Sequence, residues 1–241
     1  MPKPKRSGLD ESTNKERKDR RAEGHFKSLD QESYSNEDKF FENMVKEFLK
    51  NTTFDEKDGI TYYTGKHYQE INEYLRKGKY GSGEDKELER IIDNITSGLS
   101  KFKLDKDMTF YRKSGSDLFK KIIGSELGIK YNNAQQFIDD VNSFANTVVR
   151  DKGFTSSSTQ STKWDGKVHM EIRTPSGTKG AFVKPISHFE SEREFLFNRG
   201  TYYKIIGAKM KYDKYDGNVP LVTLQVVRSG RHNRKKLGKK A

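Results

Sequence analysis

Apolar side chains recur at helical spacing through the first half of this chain and alternate or run together through the second. In "NEDKFFENMVKEFLKN" (36–51), Phe40, Met44, Phe48 and Leu49 fall on one helix face, with Asn36 placed as an N-cap. "TGKHYQEINEYLRKG" (64–78) puts Tyr68, Ile71, Tyr74 and Leu75 on one face and ends at Gly78. "GEDKELERIIDNITSGLSKF" (83–102) predicts a third helix that buries Leu88, Ile91, Ile92 and Ile95. Two shorter helices are expected near 116–127 and 133–148.

The texture then changes. "MTFYRKS" (108–114), "DKGFTSSST" (151–159), "VHMEIRTP" (168–175), "KGAFVKPI" (179–186), "REFLFN" (193–198), "TYYKIIGAKMKY" (201–212) and "VPLVTLQVVR" (219–228) read as strands. "TPSG", "NRG" and "YDGN" punctuate them. Helices first and short strands later define an α+β fold, without the alternation of a wound α/β sheet.

The 241 residues suffice for one or two domains with a buried core. Hydrophobic content is only 31%, but the shortfall lies at the ends. Residues 1–37 are charged and nearly free of aliphatic side chains, which predicts a disordered polar tail. From Arg228 onward, seven Lys or Arg and no acid make a basic C-terminal arm over 228–241. Residues 38–227 then have ordinary globular composition. The net charge of +12 solubilises the chain or attracts a polyanion such as nucleic acid through the basic arm. Without cysteine, neither disulfides nor thiolate chemistry is open to it. No apolar segment follows the basic N-terminus, so no standard signal peptide is expected, and no run is long enough to span a bilayer.

Taken singly, the motifs decide little. The five histidines show no metal-ligand spacing, so no metal site is expected. "GKYGSG" (78–83) lacks the Lys-Ser/Thr ending of a phosphate loop and reads as a connection between helices. Arg112 ends an apolar strand, where an arginine commonly snorkels or forms an ion pair. "FTSSSTQST" has the composition of a loose loop. In "ESERE" (190–194), Glu190, Glu192 and Glu194 point to one side of an extended chain. Such a cluster is either a solvated edge or a working site.

Taken in order, "YYTGKHYQEINEYLR" (62–76), "FYRKSG" (110–115), "GFTSSS" (153–158) and "ESEREFLFNRGTYYKI" (190–205) resemble the successive signatures of the Arg-Ser-Glu class of mono-ADP-ribosyltransferases. The catalytic domains of actin-modifying clostridial binary toxins and of insecticidal bacillus toxins are the nearest in pattern. Arginine-specific phage transferases carry the same set. The resemblance covers roughly 38–227 and implies a helical layer packed on a core of two mixed β-sheets, with NAD in the cleft between them.

It also implies roles. Arg112 would bind the NAD pyrophosphate, a task suited to the guanidinium fork. Ser156 would hydrogen-bond the catalytic glutamate, with Ser158 supporting the fold and Ser157 standing where the family usually has Thr. Tyr63, Tyr68 and Asn72 match the helix lining the NAD site. Lys113 stands where the toxins often have a second Arg, and Arg173, two residues out of register, is a further cofactor contact. Two carboxylates suit cleavage of the nicotinamide–ribose bond: one stabilises an oxocarbenium-like transition state, the other assists the acceptor.

The three glutamates allow two registers. In the resembled family the catalytic glutamate is the last residue before an apolar strand of three and a turn with Gly, so Phe195-Leu196-Phe197 and Asn198-Arg199-Gly200 imply Glu194 as the catalytic residue and Glu192 as the acceptor-side one. Glu192 in that place resembles arginine-modifying members, and Phe189 falls where an aromatic residue contacts the target. The implied activity is transfer of ADP-ribose from NAD to arginine on a host protein, actin being the nearest precedent. The implied setting is a bacterial or phage-encoded toxin acting in the cytoplasm of a target cell. An NAD glycohydrolase using water, or a virion protein binding nucleic acid on a degenerate transferase fold, are the alternatives.

Overall fold

The computed structural model describes residues 34–115, 127, 129, 131–161, 166–183, 186–187 and 193–227, excepting the side chains of 34–38. Most of the helix expected near 116–127, residues 1–33 of the expected tail, the C-terminal arm, Phe189, Glu190 and Glu192 lie outside these residues. Residues 34–37 are helical, so the first helix begins at Tyr34 and Asn36 lies inside it rather than capping it.

The helical layer comprises α1 (Tyr34–Asn51), α2 (Phe54–Tyr62), a π-helical turn (Tyr63–His67), α3 (Tyr68–Arg76) and α4 (Lys86–Ser100). Helix α2 is absent from the apolar pattern because it packs through polar and small groups. Thr53 and Glu56 form its capping box. The Glu56 carboxylate also accepts bonds of 2.6 Å from Ser97 and Lys101. A Cβ on Gly98 would meet Glu56 and Ile60 at 3.2 Å, so glycine there lets α2 and α4 approach. In α3, Ile71, Tyr74 and Leu75 are buried as the spacing predicts, but Tyr68 stands exposed at the helix start.

The remaining elements are β1 (Met108–Ser114), α5 (Ala134–Ser143), β2 (Val148–Arg150), β3 (Thr155–Ser158), β4 (Val168–Thr174), β5 (Gly180–Phe182), β6 (Glu194–Phe197), β7 (Tyr202–Asp213) and β8 (Gly217–Val227). Helix α5 ends earlier than the expected 148. Asn146 adopts a positive φ of 69°, and the β-branched Val148 and Val149 pair instead with Lys204 and Tyr203 of β7.

The α+β reading holds. The strands form one eight-stranded sheet in the order β2-β7-β8-β4-β1-β3-β6-β5, rather than two separate ones. β4 and β8 run parallel, and the other neighbours run antiparallel. Two halves are nonetheless distinct. β1 and β3 share the single register pair Tyr111↔Ser158, whereas β1 and β4 share seven.

The halves are packed differently. One core joins Phe110, Met170, Ile172, Phe195, Phe197 and Leu224 to Phe137 and Val141 of α5. A second joins Ile60, Tyr63, Ile71, Ile92 and Ile95 of the helical layer to Phe154, Ala181 and Leu196. The β3-β6-β5 half is therefore covered on both faces, and all four residues of β6 are buried. The five-stranded half keeps one polar face, lined by half-buried Thr109, Tyr111, Glu171, Arg173, Thr223 and Gln225. Through the row Tyr111–Ser158–Glu194, that face continues the face of β6 that the helical layer covers.

Candidate active site

The seam between β1 and β3 places Arg112. Beyond Tyr111↔Ser158 the ladder stops, and the Arg112 guanidinium donates from Nη1 to the Ser156 carbonyl. Its Nε is fully buried without a hydrogen-bond partner among the described residues. A buried N–H left unpaired costs about 1–3 kcal/mol. Burial lowers the Arg112 pKa, and the Arg76 charge acts in the same direction, while Tyr63, Asp151 and Glu194 oppose it. The geometry and charge fit an anionic group such as a phosphate.

Across the seam, Ser158 faces Glu194 in the β3–β6 register, and Ser156 faces Leu196. Glu194 is only 4% exposed. Its Oε2 accepts a 3.2 Å bond from Ser187 Oγ, a residue that no sequence signal singles out. Ser158 Oγ accepts from the Gln160 N–H at 3.0 Å, and Ser157 Oγ donates to the Phe195 carbonyl at 2.9 Å. Ser157 thus ties β3 to β6 beneath the site. Arg193, immediately before Glu194, has φ of 45°, and its guanidinium lies 5.9 Å from the Phe41 ring centroid. A non-glycine residue in that region carries strain, a frequent mark of functional sites.

Asp151 organises the entry to β3. Its carboxylate accepts two bonds of 3.0 Å from Arg76, one of 2.9 Å from Gly153 N–H and one of 2.8 Å from Thr155 Oγ1. Alongside, Asn72 donates to Tyr63 Oη at 2.9 Å and accepts from Phe154 N–H at 2.8 Å, while Tyr63 donates to the Phe154 carbonyl at 3.3 Å. Burial raises the Tyr63 pKa to about 12. Asn72 and Tyr63 therefore link α3 to β3 and fix the cleft wall. Tyr68 is 40% exposed, with its hydroxyl accepting from Gln69 Nε2. Arg173 donates to Glu171 at 3.1 Å on the polar face of the sheet. Sequence reasoning missed Arg76 and Asp151, whose only signal is their opposite charge.

Lys113, next to Arg112, is 5% exposed and turned to the β7–β8 turn. Its Nζ lies 2.7 Å from Asp216 and 3.4 Å from Asp213. His169, its register partner, lies 3.1 Å from Asp216 through Nε2. His169, Asp213 and Asp216 offer ligand atoms within 4.8 Å of one another, but the Lys113 ammonium already brings positive charge to both carboxylates. Among the described residues, no helix is long and apolar enough to cross a membrane.

This fold is that of ADP-ribosylating toxins. The ADP-ribosyltransferase toxin Plx2a of Paenibacillus larvae superposes with a TM-score of 0.69 at 25% identity, over 80% of this chain and 96% of that one. BECa, the ADP-ribosylating component of a C. perfringens binary enterotoxin, solved with NADH, gives 0.69 at 26% identity, over 83% of this chain and 50% of that one. Residues 37–228 match the model of the ADP-ribosyltransferase exoenzyme family, and the chain belongs to that family. It is also 29% identical over 143 residues to the NAD(+)–arginine ADP-ribosyltransferase EFV of Enterococcus faecalis, covering 59% of this chain and 27% of that protein. The chain spans well under half the length of the curated relatives it matches.

Proposed function

We propose that this chain transfers ADP-ribose from NAD to an arginine of a protein and releases nicotinamide. One observation carries the reading: the register pairs Tyr111↔Ser158 and Ser158↔Glu194 put Glu194 in one row of the sheet with the residue next to Arg112. Arg112, half-buried and held through Nη1 by the Ser156 carbonyl, binds the pyrophosphate with the rest of its guanidinium. Glu194, buried and anchored by Ser187, stabilises the positive charge that develops on the ribose as the nicotinamide bond breaks. A carboxylate removed from water acts more strongly on that charge than a solvated one.

Glu192, two residues earlier, takes a proton from the acceptor guanidinium, a weak nucleophile because of its high pKa. Phe189 contacts the acceptor protein. Asn72, Tyr63, Tyr68 and Arg173 border the NAD site, the first two by holding its wall. The E. faecalis relative is named for arginine transfer, which favours arginine as the acceptor here. Actin is one candidate target. NAD and such a protein meet in the cytoplasm of a target cell, which is where the enzyme acts.

Labelled NAD tests the reading. Label should enter protein and be released by reagents that cleave arginine-linked ADP-ribose, and nicotinamide should appear in equal amount. Glu194→Gln should slow both on the order of 10²–10³-fold. Label found only in free ADP-ribose would leave a glycohydrolase. Nicotinamide release unchanged in Glu194→Gln would remove the mechanism.

A further inference from the structure

Three large apolar side chains stand exposed together on one hairpin tip. Met210, Tyr212 and Tyr215 are 41%, 73% and 72% exposed. The tip reads "KMKYDKYDG" over 209–217 and joins β7 to β8. Both of its acids turn inward. Asp213 accepts the N–H groups of Tyr215 and Asp216 at 2.9 and 3.2 Å, and Asp216 holds Lys113 and His169. Among the described residues, the unpaired charge of the ribbon is that of exposed Lys209 and Lys214 and half-buried Lys211, with Lys209 and Lys211 on the Asp213 face of the ribbon and Met210 and Tyr212 on the other.

The position of the tip follows from register. Lys113 pairs with His169, His169 with Leu221 and Leu221 with Lys209, so these residues share one row of the sheet. Asp213 lies four residues beyond that row, roughly 13 Å along an extended strand. Contact at 3.4 Å with Lys113 therefore requires the ribbon to fold back over the sheet end. Lys113, His169 and Tyr111 lie on the same polar face, and the row Tyr111–Ser158–Glu194 continues it, so the tip is seated on the face of the sheet that carries Glu194. Its anchor is buried, and the exposed groups around it are two tyrosines and a methionine edged by lysines of the same ribbon. Tyr and Met are enriched at protein interfaces, where they supply contact area at low entropic cost.

We infer that this hairpin tip docks the acceptor protein, fitting an acidic patch that flanks the arginine to be modified. The inference rests on the proposed transferase activity. Whatever the tip holds is held on the sheet face that carries Glu194, which favours the acceptor protein over nucleic acid or a lipid surface.

The test uses the full chain, labelled NAD and three acceptors: the small guanidine agmatine, the acidic folded protein actin and the basic folded protein histone. Two double variants are compared with wild type, Tyr212→Ser with Tyr215→Ser, and Lys209→Glu with Lys214→Glu. Wild type should label actin in preference to histone. Both variants should keep agmatine labelling and nicotinamide release within about twofold, while actin labelling falls by about tenfold or more through KM. Equal actin labelling by variants and wild type would overturn the inference. So would a parallel loss with agmatine, which would make the tip a support for the NAD site. Preference for histone would overturn the acidic partner. Loss of binding to a single-stranded oligonucleotide or an anionic vesicle, with actin transfer retained, would reassign the surface. Wild type that releases nicotinamide but labels none of the three removes the arginine reading and this inference with it.

Discussion

Arg76 grips Asp151 through two parallel hydrogen bonds of 3.0 Å, from Nε and Nη2 to the two carboxylate oxygens. The pair joins the last turn of α3 to the residue that opens the path into β3. Asp151 is 1% exposed and also holds Gly153 and Thr155, so the strand carrying Ser156 and Ser158 takes its position from this contact. A Cβ on Gly153 would come within 2.6 Å of Asn72 Oδ1 and 3.0 Å of Arg76, which is why glycine is required there.

Asp151→Ala should therefore destabilise the protein by about 3–5 kcal/mol, because it leaves a largely buried guanidinium without its counter-ion. Urea unfolding measures this. Arg76→Gln combined with Asp151→Asn should cost less than the two single changes added together, since neither partner is then left charged and alone. Strict additivity would show that the two side chains do not couple.

Arg112→Lys keeps the charge but loses the fork. A lysine has one ammonium to divide between the Ser156 carbonyl and a phosphate, where the arginine fork can hold the carbonyl through Nη1 and keep further donors for the proposed phosphate. Loss of one charge-assisted bond of about 1.5–3 kcal/mol corresponds to roughly a 10- to 100-fold rise in the NAD concentration required. Steady-state nicotinamide release against NAD concentration reads it. A change in kcat alone would place Arg112 away from the pyrophosphate.

Asn72 separates two roles that its sequence position leaves open. Its amide donates to Tyr63 and accepts from Phe154, so both ends are engaged inside the protein. Asn72→Ala leaves the buried Phe154 N–H without that acceptor and should lower stability by about 1–3 kcal/mol. KM for NAD should rise as the cleft wall loosens. Unchanged thermal stability beside a raised KM would make Asn72 a direct contact and not a support.

Much of this was legible from the chain because apolar spacing reports burial directly. α3 and α4 bury Ile71, Leu75, Ile92 and Ile95 as their periods demand, and Phe195-Leu196-Phe197 is a fully buried strand. Helix α2 left no such trace, since Glu56 and Gly59 meet α4 in place of an apolar stripe. β2 escaped because it is three residues long and follows a helix without a break in composition. The pair of sheets became a single sheet because one bridge, Tyr111↔Ser158, joins the halves, and a lone bridge leaves no mark on the pattern. Arg112 and Glu194 could be picked out by motif. Ser187, Arg76 and Asp151 could not, because contacts between distant segments are set by the fold.

The hairpin anchor gives the protein a defined acid response. Backbone N–H groups, first that of Tyr215, hold the Asp213 pKa at about 2 against an ordinary 3.8, with Lys113 adding to the effect. A depressed carboxylate contributes stability above its unfolded pKa and loses it as pH falls through the folded one. The loss therefore falls between about 3.8 and about 2. His169 acts with the same sign at higher pH, since burial pushes it below its ordinary 6.5 and its protonation works against the fold. Urea midpoints taken down this range should decline more steeply for wild type than for Asp213→Asn. Parallel curves would mean that the turn carboxylate is free in both states.

The last prediction concerns the three glutamates before β6. Glu194 is buried where β6 begins, and Arg193 carries a positive φ that turns the chain just ahead of it. On the proposed reading Glu192 takes the acceptor side and Glu190 has no assigned task. Cleavage of the nicotinamide bond needs a carboxylate at the ribose, whereas transfer to a guanidinium also needs a base near the acceptor. Glu192→Gln should accordingly retain NAD glycohydrolysis within about tenfold and lose arginine transfer by on the order of 10²-fold or more. Glu190→Ala should leave both near wild type. Parallel assays of nicotinamide release and agmatine labelling decide the register. If Glu190→Gln uncouples the two activities and Glu192→Gln abolishes both, the catalytic residue is Glu192 and the pairing shifts by two.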